Sequence, residues 1–99
     1  MGVDRDRIIE TLRRHRPDIR RLGVSGLFLF GSAARGEATP SSDVDLFFDF
    51  DDPRFSLVEL VTLQQRLSEI LTARADVTSR GSLHPSLRPA IESSAVRVF

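Results

Sequence analysis

Asp43 and Asp45 stand one residue apart at the head of an apolar run, DVDLFFDF, and follow a Gly-Ser pair, Gly31 and Ser32, that itself closes an apolar run. A strand alternates its side chains with period two, so both carboxylates leave one face, their Cα atoms about 6.6 Å apart. Two carboxylates so placed raise each other's proton affinity unless a positive charge lies between them. A hard divalent cation such as Mg²⁺ meets that need, taking oxygen ligands from one or two carboxylates and from substrate phosphates. Gly31 and Ser32 supply the complementary half. Glycine lets the backbone approach a ligand closely, and the N–H groups opening the next helical turn face an anion. Phosphate on one side and metal on the other point to nucleotide chemistry.

The charge distribution agrees. The chain of 99 residues carries 14 basic and 14 acidic side chains, for a net charge of zero. The balance is uneven: Met1 to Leu22 is Arg-rich, whereas Glu37 to Glu59 holds seven acids against Arg54 alone. The acidic block contains the paired aspartates, where a cation site would need it. A neutral total argues against direct nucleic-acid binding, which normally needs a clearly basic surface. Without Cys, neither a disulfide framework nor a thiolate zinc site is possible. No apolar run reaches the roughly 20 residues that span a bilayer, and the charged N-terminus lacks a signal peptide's apolar segment. The expected location is cytoplasmic. Every basic residue is Arg, which removes a lysine nucleophile.

The length fits a single domain over residues 1–99. Asp4 can cap a helix running to about His15, with Ile8, Ile9 and Leu12 on one face. Pro17 predicts a break at Arg16 and a short second helix from Asp18 to Leu22, ended by Gly23. The Arg-rich surface of these helices reads as a solvated face, with a contact to triphosphate or an acidic partner as its alternative. Gly26–Phe30 reads as a buried strand, Ser32–Arg35 as a helical turn ended by Gly36, and Glu37–Ser42 as loop. Val44–Phe50 is a second strand with Val44, Leu46, Phe48 and Phe50 on one face. Asp43, Asp45, Phe47 and Asp49 lie on the other, Phe47 being the odd member. Ser56 and Glu59 form a capping box for a helix over 56–72. Its core stripe is expected to be Leu57, Leu60, Val61, Leu63, Leu67, Ile70 and Leu71. Ala75–Ser79 reads as a third strand with Asp76 and Thr78 on one face, then a turn at Arg80-Gly81. Pro89 predicts an irregular turn before a short helix near 89–94, and Ala95–Phe99 closes as a fourth strand. The fold class is α/β (α+β): one sheet of about four strands with helices on one side.

The run GSAARGEATPSSDVDL resembles the signature of the minimal nucleotidyltransferases, the small branch of the DNA polymerase β-like superfamily. Gly31, Ser32, Arg35, Gly36, Ser42, Asp43, Asp45 and Leu46 fall in register with it. The helix beginning FSLVEL, the segment ADVTSRGSLHP and the ending AVRVF extend the likeness over most of the chain. Pro89 is a departure, since relatives keep a longer C-terminal helix there. The chain also ends without the additional domain by which larger superfamily members hold base and acceptor. The resemblance implies a mixed β-sheet flanked by helices. It implies Mg²⁺, as two ions, held by Asp43, Asp45 and Asp76, with Asp76 nearest the attacking hydroxyl. It further implies a nucleoside triphosphate, ATP, bound through Gly31, Ser32, Arg35 and Ser42. Members of this kind are commonly antitoxins paired with a HEPN-domain toxin, and some transfer AMP from ATP to a tyrosine of that partner.

The expected activity is therefore transfer of a nucleoside monophosphate to a hydroxyl of a partner protein, a HEPN toxin. A binding module of the same fold that neutralises its partner by contact alone is the alternative. A stand-alone metal or nucleotide sensor is the third reading. Arg35 could steady a phosphate or pair with Glu37 or a loop acid, and Arg80 carries the same ambiguity. His15 and His84, far apart in sequence, read as packing or surface residues. Phe47, Phe55 and Phe99 read as core, with a partner surface as the alternative.

Overall fold

A computed structural model of the chain describes residues 4–39 and 41–99; Met1 to Val3, and Pro40 within the expected loop, lie outside them. The first helix, α1 (Arg5–Arg14), begins where Asp4 accepts the Asp6 N–H at 3.0 Å, and it buries Ile8, Ile9 and Leu12. Helix α2 (Arg16–Arg21) starts two residues earlier than its sequence suggests. Pro17 falls within its first turn, where a missing N–H costs nothing, so the proline starts this helix instead of delaying it.

Strand β1 (Val24–Phe30) also begins early, because an irregularity between Val24 and Gly26 lets the ladder continue past the glycine. A single turn of helix, α3 (Gly31–Ala34), and the loop lead into β2 (Val44–Phe50). Helix α4 (Leu57–Leu71) carries the expected capping box, with Glu59 accepting from both the backbone and the hydroxyl of Ser56. Strand β3 (Ala75–Ser79), a 3-10 turn (Arg80–Ser82), α5 (Arg88–Ser94) and the two-residue β4 (Val96–Arg97) complete the order. Strand β4 is shorter than expected, although Val98 N–H still donates to Leu27 O and Leu27 N–H to Phe99 O. Pro89 sits in the first turn of α5 and breaks nothing.

The sheet order is β3-β2-β1-β4, with β2 parallel to β3 and the other pairs antiparallel. One face presents Leu27, Leu29, Val44, Leu46, Phe48, Ala75 and Val77 to the buried residues of α1, α2 and α4. The other face is not bare, which corrects the one-sided arrangement. Phe28 stacks on Phe47 at 4.8 Å between ring centroids, and Arg80 lies over both rings. Arg80 also binds Glu92, so α5 is tied to this second face. That layer explains why Phe47, among the acids of its strand, is buried.

The stripe on α4 is narrower than its pattern. Leu63 and Leu67 are fully buried, whereas Leu57 and Val58 are each 73% exposed and Val61 is 49% exposed. The Arg-rich first helices are not uniformly solvated either. Arg13 donates to the backbone carbonyls of Val98 and Arg97, and Arg16 and Arg20 lie over the Phe99 ring. No helix among the described residues is long and apolar enough to cross a membrane.

Candidate active site

Strand pairing brings the acids together. In the parallel ladder Asp45 stands directly opposite Asp76, and in the antiparallel ladder it stands opposite Phe30, the residue before Gly31. The rung below is closed by Val44 N–H donating to Arg74 O at 2.9 Å, which sets Asp43 beside the start of β3. Asp45 feels both neighbours. Partial burial raises its carboxyl above the usual aspartate range, the charges of Asp76 and Asp43 raise it further, and Arg35 opposes them. The three aspartates therefore share one face and one field of negative charge, at the end of β1 where the Gly-Ser turn begins.

Gly31 has φ +72°, and a Cβ there would run into the Asp45 carboxylate. Only glycine accepts both that backbone and that neighbour. Ser32 follows, partly exposed, and the N–H groups opening α3 have no intrahelical acceptor. Arg35 Nε donates to Glu37 at 3.0 Å, so the ion-pair alternative holds, while its charge still reaches Asp45. The Ser42 hydroxyl accepts the Thr39 N–H at 3.1 Å and pairs with the Thr39 hydroxyl at 2.9 Å, closing the loop that delivers Asp43.

A divalent cation fits the chemistry of this donor set: three carboxylates on one face, none paired to another acid's partner, one already disfavoured as an anion. Among the described residues no three acidic or imidazole side chains are gathered tightly enough to hold an ion as they stand. Asp43 and Asp76 are exposed, which leaves their rotamers free to close on one.

Arg80 is resolved by the geometry. It donates to both carboxylate oxygens of Asp49 at 2.8 and 2.9 Å and to Glu92 at 2.6 Å. It is a staple between β2, α5 and the aromatic pair, not a phosphate ligand. Arg80→Ala is expected to lower stability by about 2 kcal/mol, the scale of charge-assisted bonds plus a cation–π contact. In a chain of this size that is a fall of roughly 10 °C in melting temperature. Glu92 is held below its ordinary pKa chiefly by Arg80, so its stabilisation is present above the unfolded value and fades as the pH drops through the folded one. The difference between Arg80→Ala and wild type should narrow in acid melts. Equal melting temperatures at neutral pH would refute the staple. His15 and His84 bond only locally, to Thr11 O and to Ser86, as surface residues do.

The sequence carries a cue for one further residue, Arg74: it is two before Asp76, in strand alternation with it, and its Nε lies 3.8 Å from Asp43 Oδ2.

A mixed four-stranded sheet with paired acids beside a Gly-Ser turn defines a nucleotidyltransferase of the polymerase β-like fold. The chain belongs to the nucleotidyltransferase domain family, whose model matches residues 7–98. It is 33% identical over 93 residues to a Methanocaldococcus jannaschii protein named "Putative protein adenylyltransferase", covering 92% of this chain and 94% of that one. To the protein adenylyltransferase MntA of Thermococcus cleftensis it is 33% identical over 94 residues, covering 94% of each. A solved structure described as a "putative minimal nucleotidyltransferase" superposes with a TM-score of 0.74 at 35% identity, covering 95% of both chains. The fold is shared with the complex of a tri-AMPylated Shewanella oneidensis HEPN toxin and its MNT antitoxin, at 16% identity and a TM-score of 0.66, covering 92% of this chain and 71% of that one.

Proposed function

We propose that this chain is a Mg²⁺-dependent protein adenylyltransferase that moves AMP from ATP to a hydroxyl of a partner protein, acting as the antitoxin of a HEPN toxin. The observation that carries the reading is the register of Asp45 opposite Asp76 at the point where Gly31 leaves β1. The names of its relatives support the reaction class and the kind of partner.

In this reading Asp43, Asp45 and Asp76 hold the cation. When bound, magnesium, as two ions, supplies Lewis-acid stabilisation of the charge growing on the α-phosphate and the leaving pyrophosphate. Gly31 and Ser32 hold the β- and γ-phosphates against the backbone N–H groups, with Arg35 and Ser42 at their flank. The acceptor oxygen bonds to the α-phosphorus as the bond to pyrophosphate breaks. The acceptor's proton passes to Asp76, an exposed carboxylate, or through it to solvent.

The test is intact-mass analysis of a co-purified partner incubated with ATP and Mg²⁺. The partner's mass should rise by whole AMP units. No gain across several divalent metals and nucleotides would overturn the reading. A second reading draws on the exposed Leu57, Val58, Val61 and Phe50, an apolar surface of the kind that engages a partner. Here the chain neutralises its partner by contact alone, and Asp43→Asn and Asp45→Asn would protect cells as fully as wild type.

A further inference from the structure

Arg74 approaches the triad from the start of β3. Its backbone is pinned by the bond from Val44 N–H, and its side chain, 78% exposed, turns to Asp43. Among the described residues it is the one cation within ion-pairing distance of Asp43, Asp45 or Asp76. No other side-chain hydrogen bond or ion pair among those residues holds it. A pair this exposed is worth little, so it yields readily to a stronger competitor. A divalent ion on Asp43 is such a competitor, because it sets two further positive charges within a few ångström of the guanidinium. The phosphates that arrive with the ion offer Arg74 a better partner, since its planar fork matches their oxygens.

We infer that Arg74 is a substrate-positioning residue: it neutralises Asp43 in the ion-free protein, leaves it when a divalent cation binds, and then grips the nucleotide's phosphates. The inference rests on reading the aspartates as cation ligands. It adds a second arginine to a phosphate site in which Arg35 is already bound to Glu37.

The experiment measures Mn²⁺ binding by electron paramagnetic resonance without nucleotide, then AMP-PNP binding by calorimetry at saturating Mg²⁺. Arg74→Ala should bind Mn²⁺ about two- to fivefold more tightly, since a competing charge is gone. The same variant should bind AMP-PNP about tenfold more weakly, with KM raised and kcat little changed. Arg74→Lys keeps the charge but not the fork, so its Mn²⁺ affinity should match wild type while AMP-PNP binding stays weak. Unchanged Mn²⁺ or AMP-PNP affinity in Arg74→Ala overturns the inference. Asp43→Asn separates the two levels. If it binds Mn²⁺ as well as wild type, the ligand reading fails and takes this inference with it. If Asp43→Asn loses Mn²⁺ while Arg74→Ala is unaltered, only the role of Arg74 falls.

Discussion

Asp45→Asn should lose about a thousandfold in transfer rate and, without added metal, should melt no lower than the wild-type chain. The rate follows from removing a cation ligand at the centre of the triad. Stabilisation of the transferring phosphoryl group by bound metal is worth several kcal/mol, and about 4 kcal/mol corresponds to a factor of ~10³. The loss should appear in kcat, since these contacts strengthen as charge develops. The melting behaviour follows from the sign of the carboxyl's shift. Burial, then Asp76 and Asp43, raise the folded pKa of Asp45 above 3.8, so the folded chain holds the proton more tightly than the unfolded one. Stability from this group is full below the unfolded value and is lost as the pH rises through the raised folded value. At neutral pH the carboxylate is a net cost. An uncharged isostere relieves it by a few tenths of a kcal/mol to about 1 kcal/mol, the range of cross-strand pairs. Adding Mg²⁺ should raise the wild-type melting temperature and leave the variant nearly unmoved. Mass-resolved time courses and melts at pH 7 check both halves. Wild-type turnover in the variant would remove Asp45 from the ligand set, and a lower melting temperature would refute the charge argument.

The sequence displays one side of this site better than the other. Strand β2 alternates clearly enough that its bounds can be read directly, although Phe50, expected on the core face, is 41% exposed, and the loop residues before Asp43 announce themselves by type. The ladder that sets Asp76 against Asp45 is different, because it joins residues 31 apart through a parallel pairing that no local pattern encodes. Family resemblance points to Asp76, and the register places it opposite Asp45. Phe47 looked anomalous for the same reason: its partners, Phe28 and Arg80, come from elsewhere in the chain. The stripe on α4 erred in the opposite direction. Helical period identifies which residues could face a core, but the width of the sheet beneath decides how many do. Here the sheet reaches Leu63 and Leu67 and leaves Leu57 and Val58 outside. Pro17 shifts only the start of α2, since it falls in the first helical turn, where its missing N–H is harmless, and Pro89 opens the short helix near its expected place.

Gly31→Ala and Gly36→Ala make a matched pair, because the two glycines share φ +72° and differ in what a methyl group would meet. At Gly36 nothing lies within 4 Å, so alanine there incurs only the left-handed backbone, about 1–2 kcal/mol. At Gly31 the methyl group meets the Asp45 carboxylate, and either the turn or the aspartate must shift. A displacement of about 1 Å at a catalytic group can reduce the rate ~10²-fold. Gly36→Ala should therefore lose stability with near-normal transfer. Gly31→Ala should lose at least as much stability and about a hundredfold in kcat, with Mn²⁺ affinity reduced in step. Thermal melts read the shared backbone cost, and the difference in kcat and Mn²⁺ affinity isolates the carboxylate's position. If the two variants behave alike in rate and metal binding, the close approach of Gly31 to Asp45 has no part in the chemistry, and the glycine is there only to turn the chain.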